Sequence, residues 1–506
     1  MKLSRRDVAV PAGVAALALV VVAIVSWLPR SDAAPVPDGS DRLPASTTTV
    51  AVAQSLTSTS STTLAGPQTR FVLPGDDLAA MVAANPPLTT FVLAPGIHRG
   101  HSIEPRDGQV FRGEPGAVLS GAVVLSGFAE RDGIWFIGGQ GSDGQFHGQC
   151  DDDRPRCGYP EELFVDDAVL EHVESVSAVG PGRWHFDYDQ DTVYLGNDPA
   201  GRVVELGVVP SAFHGDADNV TIEGLVIEKY AAPAQEGVID SRRDREDRVG
   251  GSGWQIIDNV VRWNHGVGIA ATTGAVVAGN QVYENGQLGL AAKGLGVTIE
   301  GNEIYGNNTA GFNSGWEAGG SKFAFTSGLV VRNNHVHDND GPGLWTDIDN
   351  IDTRYEGNRV IDNDRMGIFH EISYDAVIAD NEVRGNGFGF SAWLWGAGIA
   401  VSTSINVEIY GNVVEGNGDG IVGIEQDRSD APASYGPLSL TGLDVHDNFV
   451  SGNEGWSGVG QDIGSNAVFT SAGNRFYDNT FDQAGTHFFW LNEEVTYKGW
   501  LEFGQS

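Results

Sequence analysis

The sequence predicts an all-β solenoid, a parallel β-helix, and three observations carry that prediction. A six-residue phrase, Asn-x-(Val/Ile/Phe)-x-x-Asn, occurs nine times, starting at Asn259, Asn280, Asn302, Asn334, Asn358, Asn381, Asn412, Asn448 and Asn474. Successive starts lie 21, 22, 32, 24, 23, 31, 36 and 26 residues apart, a period near 22 interrupted by insertions. A fixed period of this size marks stacked repeats that bury their apolar side only against their neighbours. Short β-branched strands flank each Asn, and Gly-apolar pairs follow at Gly268-Ile269, Gly289-Leu290, Gly343-Leu344, Gly367-Ile368, Gly398-Ile399 and Gly420-Ile421. Asn and Gly accept the left-handed backbone that a tight corner needs. An Asn recurring once per coil can also hydrogen-bond its equivalents above and below.

The elements before the repeats read in order. Residues 1–30 carry Lys2, Arg5 and Arg6, then an uncharged, mostly apolar run from Val8 to Leu28. That run is long enough to span a bilayer with the N-terminus inside. Its length favours an uncleaved anchor, although Ser31-Asp32-Ala33 offers a signal cleavage site. Residues 31–70 read as a disordered stalk, since twelve of the eighteen residues Ser46 to Thr63 are Ser or Thr and such a segment cannot bury enough surface to fold. The folded part is therefore expected at the cell surface or outside the cell. From 71 to 127 strand and turn signals begin, with Leu78–Ala84 as a short helix capping the first coil. Residues 128–210 interrupt the pattern and read as an inserted β-rich subdomain. Within it Cys150 and Cys157 are expected to form a disulfide, in keeping with an oxidising compartment. The repeats fill 211–490, with a charged loop at 241–248, and 491–506 cap the other end.

Composition narrows the function classes. Thirty Lys+Arg against 67 Asp+Glu give a formal charge of −37, which repels phosphate backbones and anionic lipid heads. Nucleic acid is excluded as a general partner, the membrane is expected to be met only through the N-terminal helix, and a monomer is expected. Divalent cations are plausible partners of such a surface.

The Asn repeats resemble the right-handed parallel β-helix proteins of the pectin-lyase-like superfamily, in particular secreted bacterial proteins with Asn-rich coils. The resemblance covers roughly residues 71–490. It implies a right-handed helix and a polysaccharide lyase, glycoside hydrolase or uronate epimerase, with non-catalytic carbohydrate-binding members also known.

Insertions in a solenoid tend to line its binding face. The long intervals after Asn302, Asn381 and Asn412 add Trp316–Phe323, Phe388–Trp395 and Glu425–Arg428 onward, aromatic and charged stretches suited to a sugar groove. Counting from the corner Gly, taken as Gly311 on the coil after Asn302, puts Gly315, Asp347, Glu371, Ser402 and Ile424 in one row. Adjacent coils lie about 4.8 Å apart, so Asp347 and Glu371 are expected to be neighbours. His370 and Tyr374 share the second coil, and Lys322 comes from the coil before. The first chemical reading gives Asp347, Asp349, Asn350 and Glu371 to Ca²⁺ as oxygen ligands, Lys322 the role of base, and Tyr374 or His370 that of acid. That arrangement eliminates or epimerises a uronate and is the leading expectation. The second makes Asp347 and Glu371 the carboxylate pair of a glycoside hydrolase. In either, Trp316, Trp345, Phe369, Trp393, Trp395 and Arg428 would bind the sugar. A third reading is a non-catalytic surface β-helix. Asn264-His265-Gly266 is read as structural.

Overall fold

The computed structural model describes residues 68–242, 250–482 and 487–506. The expected anchor, nearly all of the expected stalk and residues 243–248 of the charged loop lie outside them. Among the described residues no helix is long and apolar enough to cross a membrane.

Each repeat folds as one coil of three short strands. In one coil these are Gln255–Ile257, Val260–Arg262 and Val267–Ala271, and the chain then enters the next coil at Val276–Ala278. Among the described residues, stacking in parallel gives three sheets, of 13, 12 and 12 strands, called here the first, second and third in the order a coil visits them. The last strand of the third sheet, Glu493–Val495, pairs antiparallel.

The period-2 alternation of a strand decides what enters the core. In three-residue strands only the middle residue points inward. Ile256, Val277, Ile299, Val331, Tyr355 and Ile378 therefore stack in register along the first sheet. Val261, Val282, Ile304, Val336, Val360 and Val383 do so along the second, and all twelve are at most 1% exposed.

Two Asn ladders run along the corners on either side of the second sheet. Asn334 shows the unit: its Oδ1 accepts from the backbone N–H of Asn302 at 2.9 Å and from Asn302 Nδ2 at 3.0 Å. Its Nδ2 donates to the Ile299 carbonyl and to Asn358 Oδ1, each at 3.0 Å. Eight of the nine phrases keep this register. The ninth slips by one strand: Arg475–Tyr477 lies in the first sheet, Asn474 accepts from Leu443 N–H, and Asn479 continues the first ladder by accepting from Asn448.

Helix Leu78–Ala84 closes the first coil, with Asp77 capping Ala80 N–H and Leu78 and Val82 buried on the core. Helix Tyr497–Glu502 buries Trp500 against Phe476 and Phe488 at the other end. Between Ala122 and Gly207 the chain forms a five-stranded and a four-stranded sheet with a separate core that includes Trp184, Phe186 and Leu206. Cys150 and Cys157 are disulfide-bonded, and Cys150 bridges Phe312 of the helix.

Removing the Asn334 side chain strands two buried donors, the Asn302 backbone N–H and one Asn302 Nδ2 proton, and the Ile299 carbonyl acceptor. Asn334→Ala is expected to destabilise the fold by about 2–3 kcal/mol, while exposed Gln281→Ala changes it by less than about 0.5 kcal/mol. Chemical denaturation of both variants measures the difference, and equal stabilities would contradict a structural ladder.

Candidate active site

The third sheet builds the site. Its strands Leu344–Asp347 and Ile368–Glu371 pair in parallel, with Leu344 opposite Ile368, Trp345 opposite Phe369, Thr346 opposite His370 and Asp347 opposite Glu371. Alternation sends Leu344, Thr346, Ile368 and His370 inward, and Trp345, Asp347, Phe369 and Glu371 outward. Asp347 and Glu371 are thus first neighbours on the outer face, 6% and 5% exposed.

The corner after these strands is strained. Ile348, Ile372 and Thr403 have φ of +67°, +38° and +44°, and β-branched residues there carry roughly 1–3 kcal/mol each. A third ladder holds the turn. Asn350 Oδ1 accepts from Thr326 N–H and Oγ, Asn350 Nδ2 donates to Ser373 Oγ, and Ser404 Oγ accepts from Ser373 N–H.

Lys322 comes from the preceding coil, where Leu290 pairs with Ser321 and Ala291 with Lys322. The corner Gly of that coil is therefore Gly320, not Gly311, and Lys322 rather than Asn313 stands in the row of Trp345. Its Nζ lies 2.9 Å from Asp347 Oδ2, 3.4 Å from Glu317 Oε2 and 4.1 Å from the Trp345 ring centroid. Burial pulls its pKa down, but Asp347 and Glu317 together outweigh burial and hold it above the ordinary lysine value. Lys322 is a fixed cation here, which removes it as the base. Asp347 Oδ1 is buried and has no hydrogen-bond partner among the described residues.

Glu371 meets a different field. Arg428 Nη1 sits 2.8 Å from its Oε1. Burial first, then the Asp347 charge, push its pKa up to about 7 against the pull of Arg428 and Lys322. Two adjacent carboxylates thus have opposed environments.

Other expected residues separate from this pair. His370 lies inside the coil, fully buried, with Nδ1 2.7 Å from Thr346 Oγ1. Burial lowers its pKa to about 3, so it stays neutral and is corrected from catalytic acid to core residue. The four expected Ca²⁺ ligands do not converge. Asn350 is a ladder rung, Asp349 accepts from Ser434 N–H at 2.8 Å and from its hydroxyl, and Asp347 and Glu371 face cations. Tyr374 donates to the Gly436 carbonyl at 2.6 Å and packs on Tyr435. Asp349 and Tyr374 therefore anchor the loop that carries Arg428. Trp345 stacks on Phe369 at 5.7 Å, and Trp395 meets Phe369 edge-on at 6.1 Å with Trp393 behind it. Trp316 turns away to Phe312 and His147, and only its carbonyl meets Lys322. Sequence reading missed Thr326, Ser373 and Ser404, whose only signal is a small hydroxyl residue just before or after a corner. Two cavities, of about 550 and 370 Å³, lie elsewhere, where the inserted subdomain meets the coils near Trp263 and His265.

Residues 248–414 match the family model described as right handed beta helix region. The solved complex of XylC with xylose is similar over 72% of this chain and 72% of its own, at 15% identity and a TM-score of 0.54. The A-module of Azotobacter vinelandii mannuronan C-5 epimerase AlgE4 is similar over 80% of this chain and 89% of its own, at 13% identity and 0.49. A glycoside hydrolase is similar over 70% and 94%, at 10% identity and 0.47. No curated protein sequence matches the chain. Residues 248–414 are thus right-handed β-helix coils, and the likeness to these solved structures is one of fold.

The Glu371 shift has a consequence for stability. Its folded pKa lies above the ordinary glutamate value of 4.5, so folding favours the protonated form. The stability this gives is full below about pH 4.5 and is lost as pH rises through about 7. Melting curves should show the wild type losing stability across that window relative to Glu371→Gln, and parallel pH curves for the two would contradict the shift.

Proposed function

We propose that the chain is a retaining glycoside hydrolase with Asp347 as nucleophile and Glu371 as general acid and base. The observation that carries this reading is the register pairing of Asp347 with Glu371 between opposed electrostatic environments. The backbones of neighbouring parallel strands lie about 4.8 Å apart, and side chains leaving adjacent strands on one face favour the short carboxyl separation of retaining pairs, roughly 5–5.5 Å, over the roughly 6.5–9.5 Å of inverting pairs.

Each residue has a step. Lys322 ion-pairs with Asp347 Oδ2 at 2.9 Å, which leaves Oδ1 for the anomeric carbon. Glu371, protonated up to about pH 7, donates its proton to the glycosidic oxygen as the bond to the leaving group breaks and the Asp347–sugar ester forms. Arg428 then stabilises the Glu371 carboxylate, which takes a proton from water as that water displaces Asp347. Trp345, Phe369 and Trp395 supply an aromatic face for the sugar. Entry requires the loop bearing Arg428 to swing out, because both carboxylates are nearly covered.

Elimination or epimerisation needs an unprotonated base beside the uronate C5. Lys322, bound to two carboxylates, and His370, enclosed in the core, are poorly placed for that role, which favours the hydrolase reading of the carboxylate pair. An extracytoplasmic site of action, with residues 1–30 as anchor and 31–70 as stalk, belongs to the same proposal.

The test is a panel of oligosaccharides and aryl glycosides, with xylosides first because a structural neighbour was solved with xylose. Turnover should release reducing ends of retained anomeric configuration by NMR, with no absorbance near 235 nm. Asp347→Asn and Glu371→Gln should each lower kcat by about 10³-fold or more without loss of fold. Inverted product, elimination, or full activity in either variant would overturn the assignment.

A further inference from the structure

We propose that Glu303, His335 and His337 form a transition-metal site of the zinc class on the outer face of the second sheet. The inference is independent of the hydrolase reading, since none of the three residues lies in the third sheet. His335 and His337 are two apart on one strand, so their side chains leave the same face. Glu303 stands directly opposite His335 on the neighbouring strand, and Tyr305 opposite His337.

The donor atoms already converge. Glu303 Oε1 lies 3.7 Å from His335 Nδ1 and 3.5 Å from His337 Nε2, and all three ligand atoms lie within 4.8 Å of one another. Tetrahedral Zn²⁺ with bonds of about 2.0–2.1 Å sets its ligand atoms about 3.4 Å apart. The two pairs of known separation need move by only a few tenths of an ångström.

His337 is held ready. Its Nδ1 lies 2.6 Å from Asp338 Oδ2, which places the imidazole proton there and leaves the lone pair on Nε2. That Nε2 is buried with no hydrogen-bond partner among the described residues. A carboxylate behind a ligating imidazole is the arrangement that orients and strengthens such ligands. The ring is also fixed in plane, stacked on Tyr305 at 4.9 Å and 2°, with Tyr305 stacked in turn on Tyr283. One group opposes binding: Arg359 Nη1 lies 3.4 Å from His335 Nε2. Ligation through Nδ1 puts a proton on that Nε2, so the exposed Arg359 must turn away, toward Glu382, which is already 3.5 Å from its Nε.

Two imidazoles and one carboxylate suit Zn²⁺, Cu²⁺ or Ni²⁺ and not Ca²⁺ or Mg²⁺, which prefer all-oxygen shells. The ligands join the strands on either side of the 32-residue interval from Asn302 to Asn334. A bound ion would clamp the two coils between which the chain makes the excursion bearing Lys322.

The test uses the full chain stripped with EDTA, titrated with ZnCl₂ in a calorimeter and followed by thermal melting. The expected result is one Zn²⁺ per chain and a Tm that rises with zinc. His337→Ala and Glu303→Gln should weaken binding by at least tenfold with unchanged zinc-free melting, Asp338→Asn should weaken it by about tenfold, and Arg359→Ala should tighten it. Absence of stoichiometric binding in the wild type, or equal zinc affinity in His337→Ala, Glu303→Gln and Arg359→Ala, would overturn the site.

Discussion

Every coil of this helix must turn its corners with buried backbone groups, and the Asn side chain resolves that problem by hydrogen-bonding its own equivalents. One amide oxygen takes the backbone N–H and the side-chain N–H of the Asn on the coil before, and the amide nitrogen reaches both the preceding carbonyl and the next Asn. No rung is satisfied without its neighbours. A lone Asn at such a corner would leave donors and acceptors unpaired at a cost of about 1–3 kcal/mol each. Repetition therefore makes an expensive buried amide favourable, and it fixes the axial register of every strand between the corners.

That register places the outer-face chemistry. Asp347 and Glu371 are neighbours because each leaves the third sheet at the same distance from its Asn corners, and the hydroxyl and amide rungs at Thr326, Asn350, Ser373 and Ser404 hold the following turn. The strained backbone at Ile348 and Ile372 lies immediately after the two carboxylates, where the surrounding ladder over-determines the conformation. Charges from two other segments then divide the pair. Lys322, with Glu317 beside it, addresses Asp347, and Arg428 addresses Glu371. The loop of Arg428 is tied down by Asp349 and Tyr374, so two residues expected to do chemistry position a third that touches Glu371.

The repeat was legible because Asn at a fixed spacing has few other physical reasons to recur. The Asp347–Glu371 adjacency followed from counting along two coils of equal pattern. Where loops broke the pattern, counting failed. The excursion after Asn307 holds Gly311, Gly315, Gly319 and Gly320, and only tertiary pairing selects Gly320 as the corner. The ninth phrase misled for a related reason, since spacing alone does not say which sheet a strand joins. His370 was a different kind of miss. With Asp347 and Glu371 facing out, alternation already sends the residue before each of them inward. The anchoring by Asp349 and Tyr374 depends on side-chain contacts between distant segments, which no local pattern encodes.

In the proposed reaction Asp347 becomes bonded to the sugar. Mass spectrometry of the protein incubated with an activated 2-deoxy-2-fluoro glycoside tests it most directly, because the fluorine slows release of the glycosyl-enzyme. The expected result is a mass increase of one fluorosugar per chain, localised to the peptide that contains Asp347 and absent from Asp347→Asn. An adduct on another residue, or turnover of unmodified substrate with no adduct on any peptide, would contradict it.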